Sequence, residues 1–294
     1  GAWRALARAQ MARTDYPLRV LHEYRLVPAD GLALAQWAMR ADPREIAALP
    51  GVPSGRVKTI PFAGRLLGHL VRMLVPGEIQ ISAFGLREGV CLDNLTSELR
   101  GADPLLSACR EQERRRARAP GFGDELADWA IAGLDIGAGA EARLARAAAI
   151  LADVNWRTHP DHRTQGCWET VTRTAITDVG HEGRVFLGAA LVMRHRSSRK
   201  AVETNGAAAL LAPGERDSAV RLGLALRLGS ALSGASPGIL RHTRLQRKGG
   251  RLRLVLDPPA APFAGEEIEK RLGILAREMA LEPELVTEGA EPGG

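Results

Sequence analysis

The chain has 294 residues, of which 45% are hydrophobic and 25% charged, and its formal net charge is +6. These proportions are ordinary for a globular protein and exclude a collagen-like or largely disordered chain. No stretch approaches the roughly 18 uninterrupted apolar residues of a membrane-spanning helix, so we also exclude an integral membrane protein.

The cysteines indicate the cellular compartment of the protein, and the first residue indicates whether the chain is part of a longer one. Cys91, Cys109 and Cys167 are far apart, odd in number and without metal-ligand spacing. They predict free thiols in the reducing cytoplasm. Because the chain begins at Gly1 without an initiator methionine or a signal region, we expect it to be a piece of a longer protein.

The first hundred residues alternate helical and extended patterns. Hydrophobic periodicity predicts a helix over 1–13, an extended piece over 16–21, helices over 30–40 and 56–74, and a strand over 78–84. Asp30 is the expected N-cap of the second helix, and a glycine-bearing loop follows the strand at 85–89. This order is typical of an α/β domain, but the strands are too few for a complete sheet, so we predict half a domain.

The pattern becomes mostly helical after residue 100. The predicted elements are helices over 141–150, 165–177, 184–195, 217–232 and 265–280 and strands over 241–245 and 252–256. Gly249-Gly250 predicts a tight hairpin turn between the two strands.

The charges are unevenly distributed near the C-terminus. Residues 218–256 carry eight basic side chains and no acidic one, whereas residues 257–294 carry nine acidic and three basic ones. A polyanion would be attracted to the first stretch. The candidates there are Arg241, Arg244, Arg247, Lys248 and Arg251, and the run from Arg114 to Arg116 is a secondary one. Alternatively, these arginines lie on solvent-facing surfaces and pair with the acidic tail.

The segment Ser82-Ala-Phe-Gly-Leu-Arg-Glu-Gly89 carries the sharpest chemical signal. Gly85 and Gly89 would allow backbone N–H groups to approach an anion, and Arg87 offers a bidentate fork for phosphate. An ordinary turn between a strand and a helix would explain the same residues.

Several segments, in order, resemble the exopolyphosphatase/guanosine pentaphosphate phosphohydrolase (Ppx/GppA) family. The segment 82–89 is similar to the family's S-x-x-G-L-R-E-G motif. Further similarities lie at 1–7, 49–53, 56–61, 151–160 and 180–187. The resemblance implies the C-terminal portion of an actin-like (ASKHA, ribonuclease H-like) lobe over 1–98. A helical HD-like domain would follow over 99–214, and a small β-hairpin/helix end piece over 215–294.

The implied activity is release of the terminal phosphate from inorganic polyphosphate, or of the 5′-phosphate from guanosine pentaphosphate, assisted by Mg2+. The family's phosphate loops and catalytic carboxylate have no counterpart in this sequence, so the resemblance implies that this piece alone is inactive. The residues carried over as walls of the phosphate cleft are Gly1, Arg4, Ser82, Gly85, Arg87, Glu88 and Gly89. We also expect a homodimer, no membrane and no specific nucleic acid.

The resemblance to HD phosphohydrolases raises the question of a metal site. Their His-Asp pair would align with Ala152-Asp153, so the histidine is missing. Asp153, His159, His162 and His195 remain as candidate ligands for a metal-dependent nucleotide hydrolase. We expect instead a metal-free fold in which these residues are hydrogen-bonded.

Three hypotheses therefore stand. The first is the C-terminal part of an exopolyphosphatase, with a cleft wall, polyanion-binding arginines and dimer contacts. The second is a non-catalytic polyanion-binding module that uses the arginines of 218–256. The third is the metal-dependent HD hydrolase.

Overall fold

A computed structural model describes residues 1–174 and 176–288. The chain is mostly helical and divides into two compact units. The first unit comprises residues 1–102 together with 178–181, and the second comprises the remaining described residues. The first boundary lies close to the predicted one at 98, and the predicted end piece from residue 215 belongs to the same compact unit as the helical residues before it.

The first unit contains six helices and two short strands among its described residues. These are α1 (Ala2–Arg13), β1 (Tyr24–Leu26), α2 (Pro28–Arg40), α3 (Pro43–Ala48), α4 (Ile60–Leu74), β2 (Ile79–Ile81), α5 (Leu86–Asp93) and α6 (Ser97–Gly101). β1 and β2 pair antiparallel, with Tyr24 opposite Ile81. A helix α2 was predicted, but Asp30 is not its N-cap. The helix begins earlier, at Pro28, whose missing N–H costs nothing in a first turn.

The core of the first unit lies mainly between α1, α2 and α4. Leu6, Leu34 and Ile60 are fully buried there. α2 and α4 approach closely because Gly64 has no side chain: a Cβ at this position would lie 2.7 Å from the Ala38 Cβ. The predicted helix over 56–74 becomes α-helical only at Ile60, after a 3-10 turn over 54–59. Pro61 has no N–H to donate to the preceding turn, so the α-helix cannot run through from residue 56.

The second unit is built from eight helices and a small sheet among its described residues. The helices are α7 (Pro104–Arg116), α8 (Phe122–Leu134), α9 (Ala140–Leu151), α10 (Arg163–Arg173), α11 (His181–His195), α12 (Lys200–Glu203), α13 (Pro213–Leu232) and α14 (Glu266–Glu278). The first residue of α11 belongs to the first unit. The helices predicted from periodicity in this region are all present, with ends shifted by a few residues.

The core of this unit runs along α9, α11 and α13, and most of the apolar side chains of these helices are buried. Gly223 lets α13 contact α11: a Cβ there would clash with the Ala190 carbonyl oxygen and lie 2.5 Å from the Met193 Cβ.

The second unit also contains a three-stranded sheet. Its strand order is β3 (Thr243–Lys248), β4 (Arg251–Leu256) and β5 (Glu282–Thr287). β3 and β4 form the predicted hairpin. Gly249 and Gly250 both have positive φ, +58° and +75°, which is the backbone of a type I′ turn. β5 pairs parallel to β4, with Leu256 opposite Thr287; periodicity did not predict this strand.

Candidate phosphate-binding sites

The prediction of a loop at 85–89 is wrong, because helix α5 begins at Leu86. The Glu88 carboxylate accepts a hydrogen bond of 2.7 Å from the Gly85 N–H, and the Ser82 Oγ accepts one of 3.0 Å from the Phe84 N–H. A short polar segment therefore leads directly from β2 into the first turn of a helix.

The glycines of this segment do not have the geometry for which they were singled out. Gly85 has φ −135° and ψ −162°, which is extended backbone that any residue adopts. Gly89 lies inside α5, and a Cβ there would meet no atom within 4 Å. The idea that these glycines shape an anion cradle is therefore wrong. The Gly85 N–H is already satisfied by Glu88.

The cationic side chain of the segment, Arg87, remains available, and Arg4 lies nearby. Arg87 is exposed, and no carboxylate pairs with it among the residues that the structure describes. An Arg4 Nη2 lies 3.8 Å from the position of a Gly85 Cβ. The hydrogen bond from Gly85, with smaller contributions from Arg87 and Arg4, lowers the pKa of Glu88. Glu88 is thus a carboxylate near neutral pH and cannot act there as a general acid.

A cavity of about 520 Å³ brings four of the predicted residues together. Its walls are mainly aliphatic side chains from α1, α4 and β2, and Gly1, Arg4, Ser82 and Gly85 line it as well. Arg87, Glu88 and Gly89 do not line this cavity. The segment 82–89 therefore presents its charged side chains away from the apolar space that adjoins its beginning.

The basic stretch of 218–256 is partly neutralised by the acidic residues that follow it. Arg244 bridges Asp257 and Glu288 at 2.9 Å each, and Arg251 lies 3.8 Å from Glu284. These pairs correspond to the alternative in which the arginines pair with the acidic tail.

The other three candidates of this stretch have different surroundings. Arg247 donates to the Leu134 carbonyl at 2.6 Å. No carboxylate pairs with the side chains of Arg241 and Lys248 within the described part of the chain. Of the five predicted residues, these two and Arg247 have no acidic partner in the described chain, and Arg247 is held by a neutral carbonyl.

Asp153 is the centre of a buried charge cluster in the second unit. Its carboxylate accepts from the Arg118 backbone N–H at 3.1 Å and from the Arg118 guanidinium at 2.6 Å. The Arg194 guanidinium lies 4.0 Å from the same carboxylate. Asp153 is 6% exposed, so the Arg118 donors occupy both carboxylate oxygens that a metal ion would need, and the charge of Arg194 lies beside them.

Burial shifts the pKa values of the two residues at the end of α11. Desolvation lowers the pKa of Arg194 to about 10, opposed by the charge of Asp153. Desolvation, with the neighbouring charge of Arg194, lowers the pKa of His195 to about 3. His195 is therefore neutral at physiological pH. His159 and His162 are exposed instead. Nowhere in 1–174 or 176–288 do three or more His, Cys, Asp or Glu side chains form a group that could hold a metal ion.

The structure also contains a polar cavity of about 460 Å³ in the second unit that sequence reasoning did not predict. Arg116, at the end of the secondary basic run, lines it together with Asn155, Thr170 and Arg173. The basic run was the sequence signal; the cavity arises from residues that are far apart in the chain.

Comparison with known proteins gives one family. The family model described as "Exopolyphosphatase, C-terminal" matches residues 105–286. No curated protein matches the chain. None of the described helices is long and apolar enough to cross a membrane.

Proposed function

The chain belongs to the exopolyphosphatase C-terminal family, and on this basis we propose that it is part of a phosphohydrolase that releases terminal phosphate from inorganic polyphosphate. The family match, which spans nearly the whole second unit, is the observation that carries this proposal. Guanosine pentaphosphate is a second substrate under the same proposal, because its 5′-phosphate is removed by the same attack of water at phosphorus.

The first unit would supply one wall of the phosphate cleft. Phosphoryl transfer depends mainly on positioning and on electrostatic stabilisation of the transferring group. The exposed fork of Arg87 suits two oxygens of a terminal phosphate. Glu88, an anion held at the Gly85 N–H, attracts Arg4 and Arg87 and would keep both guanidinium groups beside the segment.

The surface of the first unit supports its assignment as part of an actin-like lobe. Of the fifteen large hydrophobic residues that are exposed in the described chain, fourteen lie in this unit. Leu86, Val75 and Phe62 are the most exposed of them. A soluble monomer rarely leaves so much apolar surface uncovered. We propose that further strands of the same lobe, from outside residues 1–294, cover this surface.

The catalytic carboxylate and the ligands of Mg2+ belong, under this proposal, to that other part of the lobe pair. Mg2+ would neutralise charge on the phosphate oxygens when bound. No group of three or more possible metal ligands occurs among the described residues. Glu88 accepts a hydrogen bond from the Gly85 N–H, and Asp153 accepts from the Arg118 guanidinium. We therefore propose that the 294 residues bind polyphosphate without hydrolysing it.

The second unit would contribute further polyanion contacts and the dimer interface. Arg241 and Lys248 are the residues of the basic stretch to test first, because Arg244 and Arg251 already have acidic partners. Binding through such exposed cations weakens as salt increases.

The test is equilibrium binding of short-chain polyphosphate to the chain and its variants by isothermal titration calorimetry. Arg87→Ala is expected to lower the affinity about tenfold, the effect of losing one charge-assisted contact. Arg65→Ala, which removes an exposed arginine of α4, is the matched control and should leave the affinity unchanged.

The double reversal Arg241→Glu with Lys248→Glu separates the two polyanion hypotheses. Under the exopolyphosphatase proposal it weakens binding, and Arg87→Ala weakens it independently. If Arg87→Ala has no effect and the double reversal abolishes binding, the non-catalytic polyanion-binding module is the better description. The HD nucleotide hydrolase has no support in the described residues, since Asp153 pairs with arginines.

A further inference from the structure

The polar cavity of the second unit, with its volume of about 460 Å³, has the composition of an anion site. Its lining comes from the end of α7, the segment after α9, and α10. Its lining includes Arg116, Asn155, Thr158, Gln165, Glu169 and Thr170. Donor groups predominate in the lining, and its single aromatic ring in the described chain is that of His162.

The floor of the cavity is a rigid pair of buried polar side chains. Asn155 is 2% exposed and Thr170 is 3% exposed. The Asn155 Nδ2 donates to the Thr170 Oγ1 at 3.1 Å, and the Thr170 hydroxyl donates to the Gly166 carbonyl at 2.9 Å. Their positions are thus fixed before any ligand enters.

Arg116 lines the wall of this cavity and is positioned by Asn155. Its Nη2 donates to the Asn155 Oδ1 at 3.3 Å. The two preceding arginines behave differently, because Arg114 and Arg115 both pair with Glu111. Arg116 pairs with no carboxylate in the described chain, so none of the five N–H donors of its guanidinium has an anionic partner there.

The other charges of the cavity compensate one another. Glu169, its only glutamate, lies 3.3 Å from Arg173 and accepts from the Gln165 Nε2 at 2.9 Å. The charge that remains is that of Arg116. A preorganised, half-buried guanidinium beside threonine hydroxyls is the chemistry that binds a compact tetrahedral oxyanion.

We propose that this cavity is a binding site for inorganic phosphate or pyrophosphate, with Arg116 as its principal anion contact. A nucleobase would find no indole or phenyl face on which to stack, so the ligand class is the inorganic oxyanion rather than a nucleotide. The site goes beyond the proposed function, since it requires neither polyphosphate binding nor hydrolysis.

The test is calorimetric titration of the full chain with phosphate, pyrophosphate and, as a non-phosphorus oxyanion, sulfate at constant ionic strength. We expect one saturable phosphate or pyrophosphate site per chain, and at least a tenfold loss of affinity in Arg116→Gln. Arg110→Gln is the matched control. Arg110 lies on the same helix, pairs with Asp124 at 3.1 Å and does not line the cavity, so its variant should bind as the wild type does.

Gln165 provides a second pair of variants that spares the buried floor. This side chain is exposed at the cavity rim, so substitution should not unfold the protein. Gln165→Lys is expected to strengthen phosphate binding, and Gln165→Glu to weaken it, each by severalfold.

The absence of saturable phosphate or pyrophosphate binding at low ionic strength would overturn the proposal. Unchanged binding in a folded Arg116→Gln variant, together with no effect of the charge at position 165, would overturn it as well. Sulfate binding as tight as that of phosphate and pyrophosphate would also contradict the assigned ligand class. Failure of the proposed function would be distinguishable from failure of this proposal. In that case Arg87→Ala would leave the affinity for polyphosphate unchanged, regardless of the effect of Arg116→Gln on phosphate binding.

Discussion

Asp153→Asn tests the buried charge cluster of the second unit. The substitution keeps the size of the side chain and removes its charge. In the structure the carboxylate receives the Arg118 guanidinium at 2.6 Å and lies 4.0 Å from that of Arg194. Without it, Arg194, whose side chain is only 12% exposed, would lose the one acidic side chain within 4.0 Å in the described residues.

Breaking one partner of a buried ion pair costs about 3–5 kcal/mol. The lower end applies here, because the Arg118 side chain is 43% exposed and water screens its share of the interaction. We therefore expect the free energy of unfolding of this unit to fall by about 3 kcal/mol. Urea denaturation followed by far-ultraviolet circular dichroism measures the change.

Asp128→Asn is the control, because Asp128 also pairs with an arginine, Arg146, but its side chain is 70% exposed. A loss below about 1 kcal/mol is expected there. If Asp153→Asn also costs less than about 1 kcal/mol, the cluster does not contribute as described. Addition of Mn2+ is a further arm: stabilisation of the wild type, but not of Asp153→Asn, would show that Asp153 binds metal and would refute its assignment to the arginines.

The remaining predictions concern packing, pH and the surface. Gly223→Ala should lower the free energy of unfolding by about 1–3 kcal/mol, because the new Cβ would clash with Ala190. Gly273→Ala in α14 is the control: a Cβ there would meet no atom within 4 Å, so the variant should be neutral or stabilising in the same urea assay. Because the pKa of His195 in the folded chain is about 3 against an ordinary 6.5, the unfolded chain takes up a proton first as the pH falls. Its contribution to stability is thus fully present above pH 6.5 and is lost towards pH 3; unfolding curves at several pH values should show a flatter dependence for His195→Gln. Leu86→Glu, at a side chain that is 87% exposed, should change stability by no more than about 0.5 kcal/mol and reduce self-association on gel filtration; a large loss of stability would mean that Leu86 is packed.

Local chemistry predicted much of the fold. The Gly249-Gly250 turn and the alternation of Leu252, Leu254 and Leu256 were sufficient for the hairpin, because turn geometry and face are both set by neighbouring residues. β5 was missed because it is defined by pairing with β4, about thirty residues earlier, and its own sequence contains Pro283. The same reason applies to the three-residue β1, whose partner lies at 79–81.

The candidate sites were predictable to a smaller extent. Arg87 could be selected because its context is a contiguous motif. The pairing of Asp153 with Arg118 spans 35 residues, and that of Arg244 with Glu288 spans 44, so only the fold brings them together. The Arg116 cavity depends in the same way on Asn155, which is 39 residues away. The glycines of 82–89 failed as a signal because a glycine permits an unusual φ without requiring it.

We propose, as the central claim, that this chain binds polyphosphate without hydrolysing it. Its most direct test measures polyphosphate binding and phosphate release in the same samples, at increasing salt and with Mg2+ present. We predict binding that weakens as the salt concentration rises, with no release of phosphate above the rate without protein. Sustained phosphate release by the 294-residue chain, or no binding of polyphosphate at low salt, would contradict the claim.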